Sequence, residues 1–507
     1  MAASLTTSPF MMSVSQFYLL AVWLFMGEPV KTKLKTFWSS KIAVVIVSLY
    51  LLHLLGLAWS SDFQYAFKDL RVKLPILVLP LVMSSMRPLS KRHFDLLMLF
   101  YVLSVFVATC ITFAVYLRHQ YTDVREISIF ISHIRFCLHI VLSIGIILYY
   151  IFTRHARWWS YLVQGLLIAW FCYQLLIFES LSGYAALAGM LFVSLLYVLF
   201  KRIHSKGLRL AAVVILLAIP LSAGCYLYRL ASKMLTIEPV ELSKLEKKTA
   251  LGNDYWHDTV CFSVENGRYV GLYFCRPEMR EAWNERSGLD YDGLTMNGEN
   301  LEATLARYLT SKELRKDREG VMALTDEDIH NVESGVANYE SWSHPGLYSR
   351  LSQTLFEYQQ YRRLNNPNGG SLSQRLEYTR ASLHLIRQHP VFGVGTGDIP
   401  MAYQRAYDEL NSPLEAQFRH KAHNQYLSIT VGFGLIGLVL FLFILLFPFC
   451  AEKRNRTYLY SIFLAILLIS MFPEDTIETQ AGVTFYAFFN SLFIFAFSKQ
   501  DKKESIS

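Results

Sequence analysis

The sequence has few charged residues. Asp, Glu, Lys and Arg make up 17% of its 507 residues, whereas about a quarter is usual for soluble proteins. The apolar residues, 53% of the chain, stand in long runs instead of alternating with polar ones. A helix needs about 20 mostly apolar residues to cross a bilayer. These features exclude an ordinary soluble domain and indicate an all-α polytopic membrane protein.

Cysteine is also scarce. Seven scattered cysteines suit neither a disulfide scaffold nor a zinc site. Cys261 and Cys275 flank Asn266-Gly267, which is typical of a two-residue hairpin loop. Such a loop places Cys261 opposite Leu272, against a bridge to Cys275, unless a bulge shifts the register. The pairing of these two cysteines therefore stays open.

Eleven apolar runs are candidate membrane-spanning helices, of which the third is short. They divide the chain into N-terminal transmembrane helices at 1–228, a large loop at 229–422 and C-terminal transmembrane helices at 423–507. The runs lie near 10–27, 42–58, 73–86, 94–117, 127–152, 158–178, 183–200, 208–228, 424–449, 457–472 and 481–498.

Lys and Arg are concentrated in every second connection between these runs, beginning with Lys31 and Lys33 and ending with Lys499. Cytoplasmic loops of inner-membrane proteins carry such an excess. The pattern predicts a periplasmic N-terminus, a cytoplasmic C-terminus and a periplasmic large loop. That loop holds 23 basic and 27 acidic residues, so the net charge of +8 belongs to the cytoplasmic side. The charge therefore gives no indication of a nucleic-acid partner.

The large loop is long enough to carry function. Its pattern predicts a hairpin near 258–275 and helices near 299–310, 325–336 and 346–363. A further helix extends from a capping pattern at Ser371 to Pro390. Arg375 lies beside the apolar stripe of that helix, which fits either a snorkelling or ion-paired arginine or a functional one.

Three glycines at alternate positions follow, in residues 391–398. They indicate a tight turn with close backbone approach. The turn lacks the Gly-Lys-Ser/Thr of a phosphate-binding loop and the βαβ setting of a dinucleotide site. It is either a connector in which Asp398 caps the next helix or a ligand contact.

His423 and Asn424 directly precede an apolar run, which puts them at the outer N-terminus of a membrane helix. Such a terminus favours an anion, and Arg419 and Lys421 add positive charge. A lone interfacial histidine is more often structural than catalytic. This one adjoins a position suited to phosphate, which favours function.

Arg135 shares a helix face with Ser132 and His139 in the fifth apolar run. If that helix begins near residue 127, Arg135 lies about 12 Å below its outer end. A charge at such depth indicates function by default. The alternative is an ion pair with another span, and no Asp or Glu is evident inside the other runs.

These motifs resemble the O-antigen ligase family, and the resemblance covers most of the chain in the expected order. Stretches around Arg135, at Ser311–Asp317 and at Glu474–Gln480 resemble the variety found in Bacteroidetes. The family motifs read Ser371-Leu-Ser-Gln-Arg375-Leu-Glu-Tyr, His389-Pro-Val-Phe-Gly-Val-Gly-Thr-Gly-Asp398, His423-Asn-Gln-Tyr-Leu and Gly432-Phe-Gly-Leu-Ile-Gly437.

The resemblance implies a fold like that of the C-type membrane glycosyltransferases, with about 11–12 transmembrane helices and one mostly helical periplasmic loop. It implies glycan transfer from undecaprenyl diphosphate to a hydroxyl of the lipid A core, without a cofactor or a required metal. A polymerase or a protein O-oligosaccharyltransferase would use the same donor, so both stay open. A transporter or receptor is disfavoured because the sequence has no internal repeat.

The resemblance and the chemistry together assign the site. A histidine can take the proton of the attacking hydroxyl, and arginines can hold the leaving diphosphate. His423 is the expected general base. Arg375 is the second expected catalytic residue and, with Arg135, an expected ligand of the diphosphate. The expected substrate-binding residues are Arg135, Asn424, Glu474 and Asp475.

Overall fold

The computed structural model is almost wholly helical. It describes residues 1–118, 127–154, 157–201, 205–260, 263–344, 346–368, 370–452 and 455–496. The chain divides into two compact units: Met1–Leu216 with Arg375–Ser507, and Leu217–Gln374. The boundaries predicted from sequence, at 228 and 422, separate stretches by their expected side of the membrane, whereas these units are defined by internal packing. Residues 375–422 consequently belong to the unit that contains the apolar helices.

Twenty-one α-helices are found in the described residues. In chain order they are α1 (Ser4–Thr7), α2 (Pro9–Phe25), α3 (Val30–Ser39), α4 (Lys41–Leu55), α5 (Phe63–Ser85), α6 (Lys91–Arg118), α7 (His133–Thr153), α8 (Trp158–Phe178), α9 (Leu181–Lys201), α10 (Lys206–Leu235), α11 (Arg276–Arg286), α12 (Leu301–Ser311), α13 (Arg318–Met322), α14 (Asp326–Glu333), α15 (Tyr339–Ser343), α16 (Leu347–Leu364), α17 (Ser371–Gln388), α18 (Ile399–Glu409), α19 (Gln425–Ala451), α20 (Tyr458–Ser470) and α21 (Gln480–Phe495).

A helix coincides with each of the eleven predicted apolar runs. Six helical segments in the described residues are long and apolar enough to cross a membrane: Lys41–Trp59, α6, α7, α8, α9 and α19. Helices α2 and α3 form a pair bent by 111° that would count as a seventh, and α20 and α21 are apolar but shorter. The predicted all-α polytopic class is confirmed, while the number of 11–12 spans stays a prediction.

Two predicted helix boundaries were wrong. Helix α7 begins at His133, so Arg135 lies in its first turn and not about 12 Å inside it. The apolar residues Ile127 and Ile131 are buried but precede α7, so their pattern reflects packing outside that helix. Helix α5 begins at Phe63 and has 23 residues. It therefore extends the short third run and contains Asp69, an acidic residue that the predicted span leaves out.

Helix α21 lies at the centre of the first unit. Its residues are buried almost without interruption from Gly482 to Ile494, and it packs against α5 and α20. Phe463 of α20 packs in tilted geometry against Phe485 and Phe489 of α21, with ring centroids 5.7 and 6.1 Å apart. The segment that leads into α21, residues 471–479, is thereby fixed at one end of the helical core.

The second unit has its own core. The predicted hairpin is present as β1 (Val264–Glu265) and β2 (Arg268–Tyr269), which pair antiparallel around Asn266-Gly267. Helices α12, α14 and α16 have ends within about three residues of the helices predicted near 299–310, 325–336 and 346–363. Trp283, Tyr291 and Tyr308 are fully buried in a cluster formed mainly by α11, α12, α13 and α14. Cys261, the hairpin cysteine considered for a disulfide, lies outside the described residues.

Candidate functional site

His423 is held just outside the first turn of α19. Its backbone is in the left-handed region, with φ of 46°, a conformation that is uncommon for residues other than glycine and that clusters at functional sites. Asn424 caps the helix, because its Oδ1 accepts a hydrogen bond from the Leu427 N–H at 3.0 Å. Its Nδ2 donates to the Phe472 carbonyl at 2.8 Å. Asn424 therefore fixes both the helix start and the position of His423.

Two carboxylates lie beside the His423 ring. Its Nδ1 is 3.9 Å from Glu474 Oε2 and 3.8 Å from Asp475 Oδ1, and it has no hydrogen-bond partner in the described part of the chain. Carboxylates next to one ring nitrogen favour a proton on that nitrogen and determine the tautomer. The arrangement thus leaves Nε2 free to accept a proton from a substrate.

Both predicted arginines reach these carboxylates. Arg375 of α17 donates through Nη2 to Glu474 Oε1 at 2.8 Å, and Arg135 Nη2 is 3.9 Å from Asp475 Oδ1. A guanidinium has five N–H donors, so each arginine retains donors for an anionic ligand. The Nε of Arg135 is buried and has no hydrogen-bond partner among the described residues. Arg135 therefore forms an ion pair, but with Asp475 of the predicted site, in the segment between α20 and α21, and not with an acidic residue inside another span.

The surroundings shift the two carboxyl groups in opposite directions. Burial raises the pKa of Asp475 above its ordinary value. Burial acts in the same direction on Glu474, but the nearby His423, Arg375 and Arg135 outweigh it and lower the pKa of that carboxyl. Glu474 is accordingly the carboxyl that stays ionised more readily, and Asp475 is the one that is protonated more readily.

A buried ionic network adjoins the site, and the sequence does not indicate it. Lys73 of α5 is fully buried, and its Nζ lies 2.6 Å from Asp69 Oδ1 and 3.0 Å from Glu478 Oε2. The i, i+4 spacing of Asp69 and Lys73 is an ion-pair pattern that could have drawn attention to α5. The contact with Glu478, 405 positions away, has no signal in the sequence.

The same network holds the acidic segment before α21. Gln425, the first residue of α19, donates through Nε2 to Glu478 Oε1 at 2.9 Å and accepts from the Ile477 N–H at 2.8 Å. Lys421 lies 3.9 Å from Glu478 and donates to the Tyr65 hydroxyl at 3.0 Å. Polar contacts to α5 and to the start of α19 therefore hold the segment that carries Glu474 and Asp475.

The glycine-rich turn packs against a break in α19. Gly434, inside that helix, has φ of 67°. Val394 N–H and Gly395 N–H donate to the carbonyls of Val431 and Gly432, both at 2.9 Å. A side chain on Gly393 would lie 2.4 Å from the backbone of Gly432. The glycines thus permit backbone-to-backbone packing, which is the connector interpretation of this motif.

Asp398 does not cap α18 with its side chain. Its carboxylate instead accepts hydrogen bonds from the Ser61 N–H at 2.9 Å and the Asp62 N–H at 2.8 Å. The predicted cap was wrong because the carboxylate accepts hydrogen bonds from these N–H groups, which precede α5, and not from those of α18. Asp398 therefore joins the glycine-rich turn to the start of α5.

A cavity of ≈350 Å³ opens beside His423. Its size is near the lower end for small-molecule sites, and its lining combines positive charge with aromatic rings. Such a lining suits an anionic or sugar-containing ligand. The lining residues are Tyr65, Pro400, Tyr403, Gln404, Arg419, His420, Lys421, His423 and Asp475.

His423, Glu474 and Asp475 could also hold a cation. One ligand atom from each lies within 4.8 Å of the others, and nitrogen with carboxylate oxygen is a donor set that several divalent metals accept. The neighbouring Arg375 and Arg135 already supply positive charge to these carboxylates. The expectation that no metal is required stays a prediction.

The helices and this charged cluster define a multi-pass α-helical membrane protein with a basic, histidine-containing site at one end of its core. Residues 346–442 match the model of a known family, O-Antigen ligase. That match, which contains Arg375, His423 and Asn424, supports the O-antigen ligase family. No curated protein matches the chain. The family indicates a glycosyltransferase-like enzyme of ligase or polymerase type that acts on a lipid-linked glycan in a membrane.

Proposed function

We propose that the protein transfers a glycan from undecaprenyl diphosphate to a hydroxyl of the lipid A core, at the periplasmic face of the inner membrane and without a metal. The observation that carries the proposal is the position of His423. It lies at the start of an apolar helix, and its Nδ1 faces the carboxylates of Glu474 and Asp475. Arg375 and Arg135 form ion pairs with the same two carboxylates. This arrangement places a base and two anion-binding groups within one charged cluster.

The proposed reaction is a displacement at the anomeric carbon of the donor. The acceptor oxygen forms a bond to that carbon while its proton passes to His423 Nε2. The bond from the carbon to the diphosphate oxygen breaks, and the diphosphate leaves with the electron pair. Arg375 and Arg135 stabilise the negative charge on the leaving group through N–H donors that remain charged at any working pH.

The two carboxylates have a supporting part in this proposal. Glu474 carries a firm negative charge next to His423 Nδ1 and to Arg375. It would stabilise the imidazolium that forms when Nε2 takes the proton. Asp475 contacts both His423 and Arg135, so it would couple the base to the second arginine. Asn424 would contribute by fixing the position of His423.

Lipopolysaccharide from a deletion strain tests the acceptor. We expect core capped with O-antigen to disappear while lipid-linked polymer of normal length accumulates, and a plasmid copy to restore the capping. Shortened polymer would indicate a polymerase, and loss of glycosylated protein would indicate a protein oligosaccharyltransferase. Normal glycans in the deletion strain would exclude all three and point to a transporter or receptor.

A further inference from the structure

The second unit contains a cavity of its own, of ≈320 Å³, within residues 217–374. Charged and aromatic side chains from β2 and from the segment after α12 line it. Part of that segment, Ser311–Asp317, resembles the family in sequence, but the proposed transfer reaction gives it no role. The side chains that matter for the argument are Lys316, Arg268, Arg315, Tyr269, Tyr273 and Glu313.

Lys316 marks this cavity as a binding site. Its side chain is only 4% exposed, and in the described part of the chain its ammonium has neither a hydrogen bond nor an ion pair. Its backbone is fixed, since its N–H donates to the Tyr273 carbonyl at 3.0 Å and its carbonyl accepts from the Cys275 N–H at 2.7 Å. A largely buried side chain whose ammonium has no ion pair is costly. Burial lowers the pKa of Lys316 to about 7, an effect that the neighbouring Asp317 partly offsets.

The other cations of the lining are already paired. Arg268 lies 2.7 Å from Glu313 and 3.1 Å from Glu238, and Arg315 donates to Glu246 at 2.7 Å. Lys316 is therefore the one cation of the lining without an ion pair among the described residues. A single carboxylate could pair with its ammonium, whereas a phosphate dianion would bring a second negative charge next to Glu238 and Glu313.

The aromatic side of the cavity is held in an unusual backbone conformation. Tyr273 has φ of 51° and Glu313 has φ of 61°, and non-glycine residues in this region cluster at ligand sites. The ring of Tyr273 is covered by the Arg315 guanidinium, 5.0 Å from the ring centroid. The Arg363 guanidinium lies 5.2 Å from the centroid of the Tyr269 ring. In each tyrosine, the ring face turned away from its arginine is the one on which the apolar face of a sugar can pack.

We propose that this cavity binds one carboxylate-bearing monosaccharide unit, with the Lys316 ammonium pairing its carboxylate and the two tyrosines packing against its ring. The lining residues all belong to the second unit, whereas His423, Arg375 and Arg135 belong to the first. Binding here does not depend on the proposed transfer reaction. An acidic sugar in the glycan or in its acceptor would be held by this unit.

The test is a titration of the purified full-length protein with glucuronate, followed by saturation-transfer NMR. We expect glucuronate to bind about tenfold or more tightly than glucose, because a hydrogen bond to a charged group is stronger than one between neutral groups. We also expect it to bind more tightly than inorganic phosphate. Equal binding of glucose and glucuronate, tighter binding of phosphate, or no binding of glucuronate would overturn the proposal.

The variant Lys316→Met should lose the preference for glucuronate over glucose and keep the wild-type unfolding temperature or exceed it, since an unpartnered charge is removed. Lys247→Met is the matched control, because Lys247 is exposed and does not line the cavity. Glu313→Gln should tighten glucuronate binding, because it removes a negative charge from the lining. Wild-type selectivity in Lys316→Met would refute the assignment, whereas His423→Ala should bind glucuronate normally.

Binding should also be tighter at pH 6 than at pH 8. The charged groups that face Lys316 are Glu238, Glu313, Asp317, Arg268 and Arg315. Ordinary carboxyl and guanidinium groups do not titrate in this interval, but histidine does, and His257 contacts Tyr273 of the lining. A change that persists in His257→Gln would therefore report protonation of Lys316. Binding that is independent of pH would contradict a role for its ammonium.

Discussion

His423 has little freedom to move away from its carboxylates. Its left-handed backbone conformation and the Asn424 cap leave mainly side-chain rotation. Rotation is limited as well, because the ring lies 5.5 Å from the ring of Tyr378 and 6.1 Å from that of His420. A base that is already oriented needs no rearrangement during the reaction.

The variant His423→Ala should insert normally and transfer glycan about 10²–10⁴-fold more slowly, the usual contribution of a general base. Transfer by purified protein at matched levels measures this. His384→Ala is the matched control: His384 lies on α17 and contacts Glu409 at 2.7 Å, away from the charged cluster, so its rate should stay near wild type. Near-normal transfer by His423→Ala would reject the assignment.

Arg135→Lys and Arg375→Lys should each lower the transfer rate markedly, because lysine keeps the charge but loses the forked donors that bind two oxygens together. Donor affinity and rate, measured with undecaprenyl-diphosphate-linked glycan, report the effect. Arg380→Lys, one turn further along α17, is the control: Arg380 is half exposed and faces Glu377. Wild-type affinity and rate in both test variants would remove the arginines from the site.

For individual residues, the sequence predicts those features that depend on neighbouring positions in the chain. The apolar run after His423 predicts a helix start, and the glycines predict close backbone approach. The depth of Arg135 could not be predicted, because the apolar residues Ile127 and Ile131 are buried before α7 begins and are not part of that helix. The contact of Arg375 with Glu474 joins residues 99 positions apart, and only the packing of helices brings them together.

Among the elements, the contact between α5 and the segment before α21 depends on Lys73. Lys73→Met should destabilise the protein by about 3–5 kcal/mol, because it leaves Asp69 and Glu478 buried without their cation. The thermal midpoint in detergent measures this. The double variant Lys73→Met with Glu478→Gln should recover part of the loss, since one uncompensated charge is removed. Equal thermal midpoints in the wild type, the single variant and the double variant would show that the Lys73–Glu478 pair does not contribute to stability.

A second prediction about the helices concerns the break in α19 at Gly434. In Gly434→Ala the new Cβ would lie 2.0 Å from the Val391 carbonyl oxygen, and the left-handed backbone would be strained as well. The thermal midpoint should fall, and transfer should fall with it, because the turn would separate from the helix that begins at the site.

Gly165→Ala is the control for that substitution. Gly165 lies inside α8, and an added Cβ would meet nothing within 4 Å. This variant should be neutral or slightly stabilised, since alanine is the better helix former. A midpoint in Gly434→Ala equal to that of Gly165→Ala would contradict the packing role of the break.

The helices could be predicted well from sequence and the break could not. An apolar run predicts a helix whether or not one of its glycines leaves the helical conformation. What decides the conformation of Gly434 is the turn 390–397, whose backbone takes the hydrogen-bonding groups that the break exposes. This turn is distant from Gly434 in the sequence, so the pattern of residues around Gly434 does not predict the break.

For the whole molecule, the distribution of Lys and Arg makes a topology prediction. A reporter that is active only in the periplasm should be active when fused after residue 300 and silent when fused after residue 454 or 503. The positive-inside bias of the connections is the reason. A fusion after residue 252, in the same loop, should behave like that at 300. A silent fusion at 300 would put the proposed site on the wrong side for its donor.

The two units also separate the two proposed ligand sites. All six residues of the predicted transfer site belong to Met1–Leu216 with Arg375–Ser507, and Lys316 belongs to Leu217–Gln374. The sequence predicts a loop domain that ends at 422, because expected membrane side was its only criterion. Packing assigns residues 375–422 to the apolar unit, since Tyr378, Tyr403 and Tyr407 share a buried cluster with Val431 of α19.

The buried pair of Lys73 and Glu478 bears on how the chain is made. Lys73 leaves the ribosome long before Glu478, so for most of translation α5 has only Asp69 to offset its ammonium. A chain that ends before Glu478 keeps the neutral pair of Lys73 and Asp69 but lacks the contact that holds α5 to the segment before α21. That contact can therefore form only late in synthesis.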